Sequence, residues 1–414
     1  MVRRLQILVS VLVLVDTMLY AALTPLLAHF ARELHLSKAG AGSLVAAYAA
    51  GALIGGLPGG RAAARIGPRR AVLVGLALMG LASIGFAFAH GYWELLTARA
   101  IQGMGSAFTW AGAFTWLMNS AAPGQRGALI GRAMSAAVFG ELLGPVLGVA
   151  ASAAGRATVF ATLAALAGVL ATMTLRIDAA SQVEPVEVTL RSALGVRRFT
   201  DGLVLLAIAS MLFGLLSVLG PLHLAAAGWG AAAIGATWLV GAALEAGQSP
   251  FIGRFSDRRG AMRPARLALM ASVPASLALA TEASPFIYAP MVVLAGLAYG
   301  ALFTPSFSLV SEGAESAGLA QGMAFGLMNA AWATGAMLGP AAAGGIAGAT
   351  GDSVPFVLAA LGCVAALVFL RGSAAHGPQL ELSEASWRAL PAIARPFIRA
   401  SRARSRKGRL GRGR

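Results

Sequence analysis

Long apolar runs constrain this chain more than anything else in it. About a dozen follow one another, near residues 7–28, 41–63, 71–89, 94–118, 128–151 and 157–175, then near 201–224, 231–252, 264–282, 286–310, 322–346 and 354–370. Each is about 20 residues long, what an α-helix needs to cross roughly 30 Å of hydrocarbon. A backbone in lipid must satisfy its own hydrogen bonds, so runs of this length are expected to be helices. Hydrophobic residues make up 58% of the 414 and charged residues 12%, too few to cover a surface in water. The chain is therefore expected to be an all-α integral membrane protein with twelve transmembrane helices. Its start, Met1-Val-Arg-Arg, looks like a signal peptide, but the run that follows holds Asp16 and has no small-residue cleavage site. It reads as a retained first helix.

The net charge of +16 suggests nucleic acid only until its placement is considered. Arg3, Arg4, Arg61 to Arg70, Arg126, Arg191 to Arg198, Arg254 to Arg266 and the tail fall on one side of a twelve-span layout. The opposite loops hold Arg32, Lys38 and Arg156. That asymmetry puts both termini in the cytoplasm and argues against a nucleic-acid partner. The tail beyond Arg371 carries Arg399, Arg402, Arg404, Arg406, Lys407, Arg409, Arg412 and Arg414. Near an anionic leaflet each cation adds about 1 kcal/mol of attraction, so anionic lipid is its expected partner if it has one. Thirty arginines against two lysines is the bias of a GC-rich, bacterial genome, and hence of a plasma (inner) membrane. The single cysteine, Cys363, lies in the last run and reads as a small packing residue, and the five histidines show no metal-ligand spacing. No metal and no cofactor are expected.

The runs fall into two similar sets. Gly60-Arg-Ala-Ala-Ala64-Arg65-Ile-Gly67-Pro-Arg69-Arg70 returns as Gly253-Arg-Phe-Ser-Asp257-Arg258-Arg-Gly260-Ala-Met-Arg263 (253 − 60 = 193). In the fifth run Gly140-x-x-x-Gly144-Pro145 returns in the eleventh as Gly335-x-x-x-Gly339-Pro340 (335 − 140 = 195). Two repeats at nearly one offset divide the chain into a six-helix half over 1–175, a linker over 176–200, a second half over 201–371 and a basic tail over 372–414. The expected fold is two pseudo-symmetric six-helix bundles.

The short basic loop, repeated once per half, resembles that of the major facilitator superfamily. Arg99-Ala-Ile-Gln102-Gly103-Met-Gly105 in the fourth run resembles the superfamily's Arg-x-x-Gln-Gly-x-Gly signature. Gly131-x8-Gly140-Glu141-Leu-Leu-Gly144-Pro145-Val-Leu-Gly148 resembles its antiporter signature, except that Val149 stands where the final glycine belongs. The first run, with Asp16, Tyr20 and Pro25, looks like that of drug:proton antiporters. The resemblance covers about residues 5–371. It implies a twelve-span drug:proton antiporter: no enzyme, a proton gradient as the energy source, and alternating access for small amphipathic organic molecules, drugs or metabolites. An uptake carrier or facilitator for a nutrient, and a transporter-like sensor or scaffold, are the alternatives. A monomer surrounded by membrane lipid is expected. The resemblance also makes Gly60, Arg65, Gly67, Arg69, Arg70, Gly253, Asp257, Arg258, Gly260 and Arg263 gate-loop residues. In relatives an aspartate in the first copy clamps one half to the other; here that position is Ala64, which weakens the latch.

Membrane-embedded charge marks the site. Asp16, Arg99, Glu141 and Glu245 are each costly in lipid and should face a wet cavity or a partner, which makes them the proton-coupling candidates. A substrate cation competing with a proton for one carboxylate is the simplest physical form of antiport. Arg99 has no counterpart at Val292 in the other half, an asymmetry that favours function over scaffold. Thr237, Gly241, Glu245 and Gln248 make a polar stripe on an apolar helix. Tyr20, Gln102, Trp110, Trp116, Gln248, Tyr299, Phe303, Asn329 and Trp332 are the candidate cavity walls. Gly140, Gly144, Pro145, Gly148, Gly335, Gly339 and Pro340 are the candidate helix-packing positions.

Overall fold

The computed structural model describes residues 2–120, 126–177, 194–281, 283–319 and 321–371. Among them the structure is entirely helical: α1 (Val2–Ala21), α2 (Leu23–Glu33), α3 (Lys38–Arg65), α4 (Pro68–Phe88), α5 (Tyr92–Ser120), α6 (Arg126–Ala154), α7 (Arg156–Leu175), α8 (Arg197–Ala226), α9 (Ala231–Arg259), α10 (Met262–Leu279), α11 (Pro285–Gly300), α12 (Phe303–Ser316), α13 (Gln321–Thr350) and α14 (Ser353–Arg371). α1 and α2 form one crossing, as do α11 and α12, so fourteen helices make twelve spans in two six-helix bundles. Eight of these described runs are long and apolar enough to cross a membrane on length and composition alone. Spans α5, α9, α10 and α13 fall short of that measure; of these, α5 carries Arg99 and Gln102, and α9 carries Glu245 and Gln248. The tail from residue 372 and most of the expected linker lie outside the described residues; the linker's end, from Arg197, is already the first turn of α8.

Backbone conformation repeats with the sequence. His35 and Gly228 both take left-handed φ (49° and 89°), as do Gly67 and Gly260 (92° and 79°) and Gly155 and Gly351 (91° and 96°). The first two pairs are separated by 193 positions (228 − 35 and 260 − 67), the third by 196 (351 − 155). These are corners where a span ends and the chain reverses. Glycine takes this conformation without a Cβ clash; His35 does not have that freedom.

Glycine also sets how the spans approach. A methyl at Gly140 would lie 2.1 Å from the Leu14 carbonyl oxygen, and one at Gly335 2.1 Å from that of Ala207. Gly144 and Gly148 extend the first seat along α1 and α2, and Gly339 extends the second along α8. The small residues of the fifth and eleventh spans thus hold the first and seventh spans at backbone distance, as the sequence pattern predicts. Cys363 is buried in α14, as expected of a packing residue.

Candidate functional site

The halves meet along a seam that obeys the same repeat. Pro340 of α13 presents its carbonyl oxygen to Gly42 of α3, where a methyl would lie 2.3 Å away. The equivalent pair is Pro145 of α6 and Gly235 of α9, with Val149 filling the gap: its Cγ2 would be 2.6 Å from a methyl at Gly235. Val149, the departure from the signature's final glycine, is therefore a seam residue. Lys38 Nζ reaches Asp352 Oδ1 at 2.5 Å beside the first pair. All these contacts lie toward the end of the bundle opposite the arginine loops. Ala64, Arg65, Arg70, Asp257, Arg258 and Arg263 are exposed at the arginine end. Arg69 Nη1 donates to the Ile177 carbonyl at 3.4 Å within its own half.

Between the seam and the arginine end lies a cavity of about 100 Å³. Its wall includes Tyr20, Glu141, Trp238, Glu245, Phe303 and Trp332, drawn from both halves. Tyr20 and Trp332 meet across the halves edge to face at 5.4 Å.

Asp16 stands behind this wall, 2% exposed, and accepts three hydrogen bonds. Tyr48 Oη donates to Oδ1 at 3.0 Å, while Ser106 Oγ and Trp110 Nε1 donate to Oδ2 at 2.7 and 2.6 Å. Three donors from α3 and α5 fill three of the roughly four acceptor sites of a carboxylate that α1 carries into the bundle. Arg99, also 2% exposed, does not touch Asp16. Its guanidinium lies over the Tyr48 ring at 5.0 Å and the Tyr20 ring at 6.0 Å. Nη1 donates to Gln102 Oε1 (2.7 Å) and the Leu19 carbonyl (3.2 Å), and Nη2 to the Tyr20 carbonyl (3.1 Å). Hydrogen bonds from a charged donor contribute roughly 1.5–3 kcal/mol each, enough together to offset a burial penalty of several kcal/mol.

Those carbonyls belong to a break in the first span. Pro25 has no N–H for the Ala21 carbonyl, the helix stops at Ala21, and α2 restarts at Leu23. The tenth span breaks in the same way: α11 stops at Gly300, α12 begins at Phe303, and Pro305 follows. There the approaching side chains are Glu245, whose Cδ would lie 2.3 Å from a methyl on Gly300, and Gln248, which donates Nε2 to the Leu297 carbonyl at 2.8 Å. Each break is flagged in the sequence by Thr-Pro, at Thr24-Pro25 and Thr304-Pro305, a signal that sequence reasoning left unused.

Glu141 and Glu245 differ from Asp16 in one respect that matters. Both line the cavity, Glu141 openly and Glu245 half-buried. Neither carboxylate has a hydrogen-bond or ion-pair partner among the described residues, and Glu245 lies within range of the Glu141 charge. The polar stripe behaves as expected for Thr237, Gly241 and Glu245, which all line the cavity.

Of the expected cavity walls, Tyr20, Phe303 and Trp332 are in place. The others lie outside the lining for identifiable reasons. Gln102 is spent on Arg99 and Trp110 on Asp16. Gln248 is turned to the α11 backbone, and the Tyr299 hydroxyl is paired with Ser276 Oγ at 2.7 Å. Trp116 is fully buried, and Asn329 is half-buried away from the cavity. Sequence reasoning missed Tyr48, Ser106 and Trp238. Nothing distinguishes an aromatic or serine on an apolar helix from packing until its neighbours are known. Among the described residues no group of three or more metal-ligating side chains occurs.

The family model described as Major Facilitator Superfamily matches residues 9–324. The protein named as the uncharacterised MFS-type transporter YcaD, from Escherichia coli (strain SMS-3-5), is 27% identical over 385 residues, covering 91% of this chain and 97% of that protein. YcaD of Shigella dysenteriae serotype 1 matches to the same extent. A crystal structure of the nucleoside transporter NupG, in a mutant form, aligns with a TM-score of 0.69 at 13% identity, covering 89% of this chain and 99% of that one. At that identity the likeness bears on fold alone.

Proposed function

Because the chain belongs to the major facilitator superfamily, and is on that ground a multi-pass membrane transporter, we propose that it is a proton-coupled antiporter that exports small amphipathic organic molecules. The observation that carries this reading is the cavity between the halves, walled by aromatics and holding two carboxylates without a hydrogen-bond or ion-pair partner among the described residues. Aromatic walls suit amphipathic organics, and a carboxylate left unpaired is free to trade a proton for a substrate. Asp16, by contrast, accepts three hydrogen bonds, and both terminal nitrogens of Arg99 are engaged, holding two carbonyls at the break in the first span. The halves rock about the cavity, exposing it to one side and then the other. The charge asymmetry favours placing the arginine loops in the cytoplasm, and with them the end of the bundle from which a molecule for export would load.

Inverted vesicles energised to an acidic interior test this directly. A pH-sensitive dye would report proton efflux when cationic, neutral and anionic organics are added in turn. Efflux triggered by a compound, and abolished by Glu141→Gln or Glu245→Gln, is the expected result. The second reading is nutrient uptake, favoured by the structural likeness to a protein named as a nucleoside transporter. Nucleosides therefore belong in the panel. Gradient-driven accumulation of a nucleoside on the cytoplasmic side, with no efflux for any organic cation, would replace the antiport reading.

A further inference from the structure

We propose that Glu141 and Glu245 form one cation seat shared by the two halves, and that its preferred occupant is an organic dication, a molecule with two fixed positive charges on an apolar frame. This deepens the transport reading above and rests on it for the statement that the cavity is where substrate binds. Charge accounting across the cavity carries the inference. Its lining holds two carboxylates and one guanidinium. The guanidinium of Arg99 is committed to two backbone carbonyls, Gln102 and two tyrosine rings. The glutamates have no such commitments, although α6 and α9 carry them well inside the bundle. Buried charge is normally paired, so two unpaired carboxylates facing an aromatic cavity point to cationic groups supplied from outside.

Position strengthens the case. At 1.5 Å per residue, Glu141 lies about 6 Å from Pro145 along α6, and Glu245 about 15 Å from Gly235 along α9. Pro145 and Gly235 face each other at the seam. The two carboxylates therefore stand on the cavity side of the point where the halves join, staggered along the cavity wall and contributed by opposite halves. Trp238 and Trp332 line the same cavity, and tryptophan is the residue type that best binds quaternary ammonium groups through its ring. A calcium ion does not suit the pair, because it takes six to eight oxygens and no third ligating side chain accompanies them among the described residues.

The test is direct binding to the purified protein in lipid nanodiscs, read by quenching of tryptophan emission. The probes are decamethonium, a bis-quaternary ammonium, and decyltrimethylammonium, its single-charged analogue. Decamethonium is expected to bind at least tenfold more tightly. Glu141→Gln and Glu245→Gln should each erase that preference, and Glu312→Gln, at the exposed pair with Arg198, should leave it intact. Apparent melting temperature confirms that each variant is folded. Equal affinity for the two probes in the wild type overturns the proposal. So does a preference that survives both variants, or no binding of either probe to folded protein. Because binding needs no gradient, a dication preference without proton efflux in vesicles would sink the antiport reading and leave the seat standing. Efflux evoked only by neutral or anionic compounds would do the reverse.

Discussion

Tyr48 keeps two buried charges apart and serves both: its hydroxyl donates to Asp16, and its ring lies against Arg99. Tyr48→Phe keeps the ring and removes the donor, so it should cost about 1–2 kcal/mol, seen as a drop of a few degrees in apparent melting temperature. Tyr48→Leu loses the ring face as well and should cost about 1–2 kcal/mol more. Equal losses in both variants would show that the hydroxyl alone matters. His35 is the converse case, a side chain in a conformation that glycine holds at the equivalent Gly228. His35→Gly is expected to raise stability by up to about 1 kcal/mol, and Gly228→His to lower it by roughly 1–2 kcal/mol. Asp16 and Arg99 were legible in the sequence because charge in an apolar run demands an explanation. Tyr48 was not, because its importance lies wholly in what other helices bring to it.

The two broken spans show where element-level reading stops. Apolar length correctly marks residues 2–33 and 285–316 as single crossings, but length is blind to an interruption that leaves the run apolar. Proline within a membrane helix is also a weak cue by itself: Pro58, Pro145 and Pro340 all lie inside helices that continue past them. What separates Pro25 and Pro305 is that side chains on neighbouring spans, Arg99 at one and Glu245 with Gln248 at the other, stand at the interruption. Pro25→Ala restores the N–H for the Ala21 carbonyl and should draw the first span straight, pulling the Leu19 and Tyr20 carbonyls away from Arg99. Transport is expected to fall at least fivefold while the melting temperature holds or rises; unchanged transport would mean the break is incidental. The packing glycines were legible from spacing alone, because close approach of helices requires small residues at regular intervals. Gly140→Leu, forced against the Leu14 carbonyl and the Thr17 hydroxyl, should cost about 3 kcal/mol or more and sharply reduce folded yield.

At the scale of the molecule, the halves are fastened at one end, and at the other the first loop has Ala64 where the second has Asp257. Lys38 and Asp352 are the ion pair that joins the halves among the described residues, while Ala64 leaves the arginine end without its carboxylate. Lys38→Gln should shift the population two- to fivefold toward the form open at the opposite end, since a partly exposed pair contributes about 0.5–1 kcal/mol. Spin-label distances across that end would report the shift, and exchanging the two charges should reverse it. Ala64→Asp should move the balance the same way as Lys38→Gln by supplying the missing clasp. The repeat made the two halves legible, but which end they meet at depends on small differences between two nearly equal packings. The seam itself has a further consequence for electrical insulation. Where Gly42 meets Pro340, the barrier between two aqueous compartments is polypeptide backbone with hardly a side chain in it. Such a barrier has no give: a single added branch at Gly42 would wedge it open along its length while leaving each bundle intact. Cells making Gly42→Val should accordingly lose membrane voltage in proportion to the amount of protein in the membrane, as a carrier that cannot shut becomes a shunt.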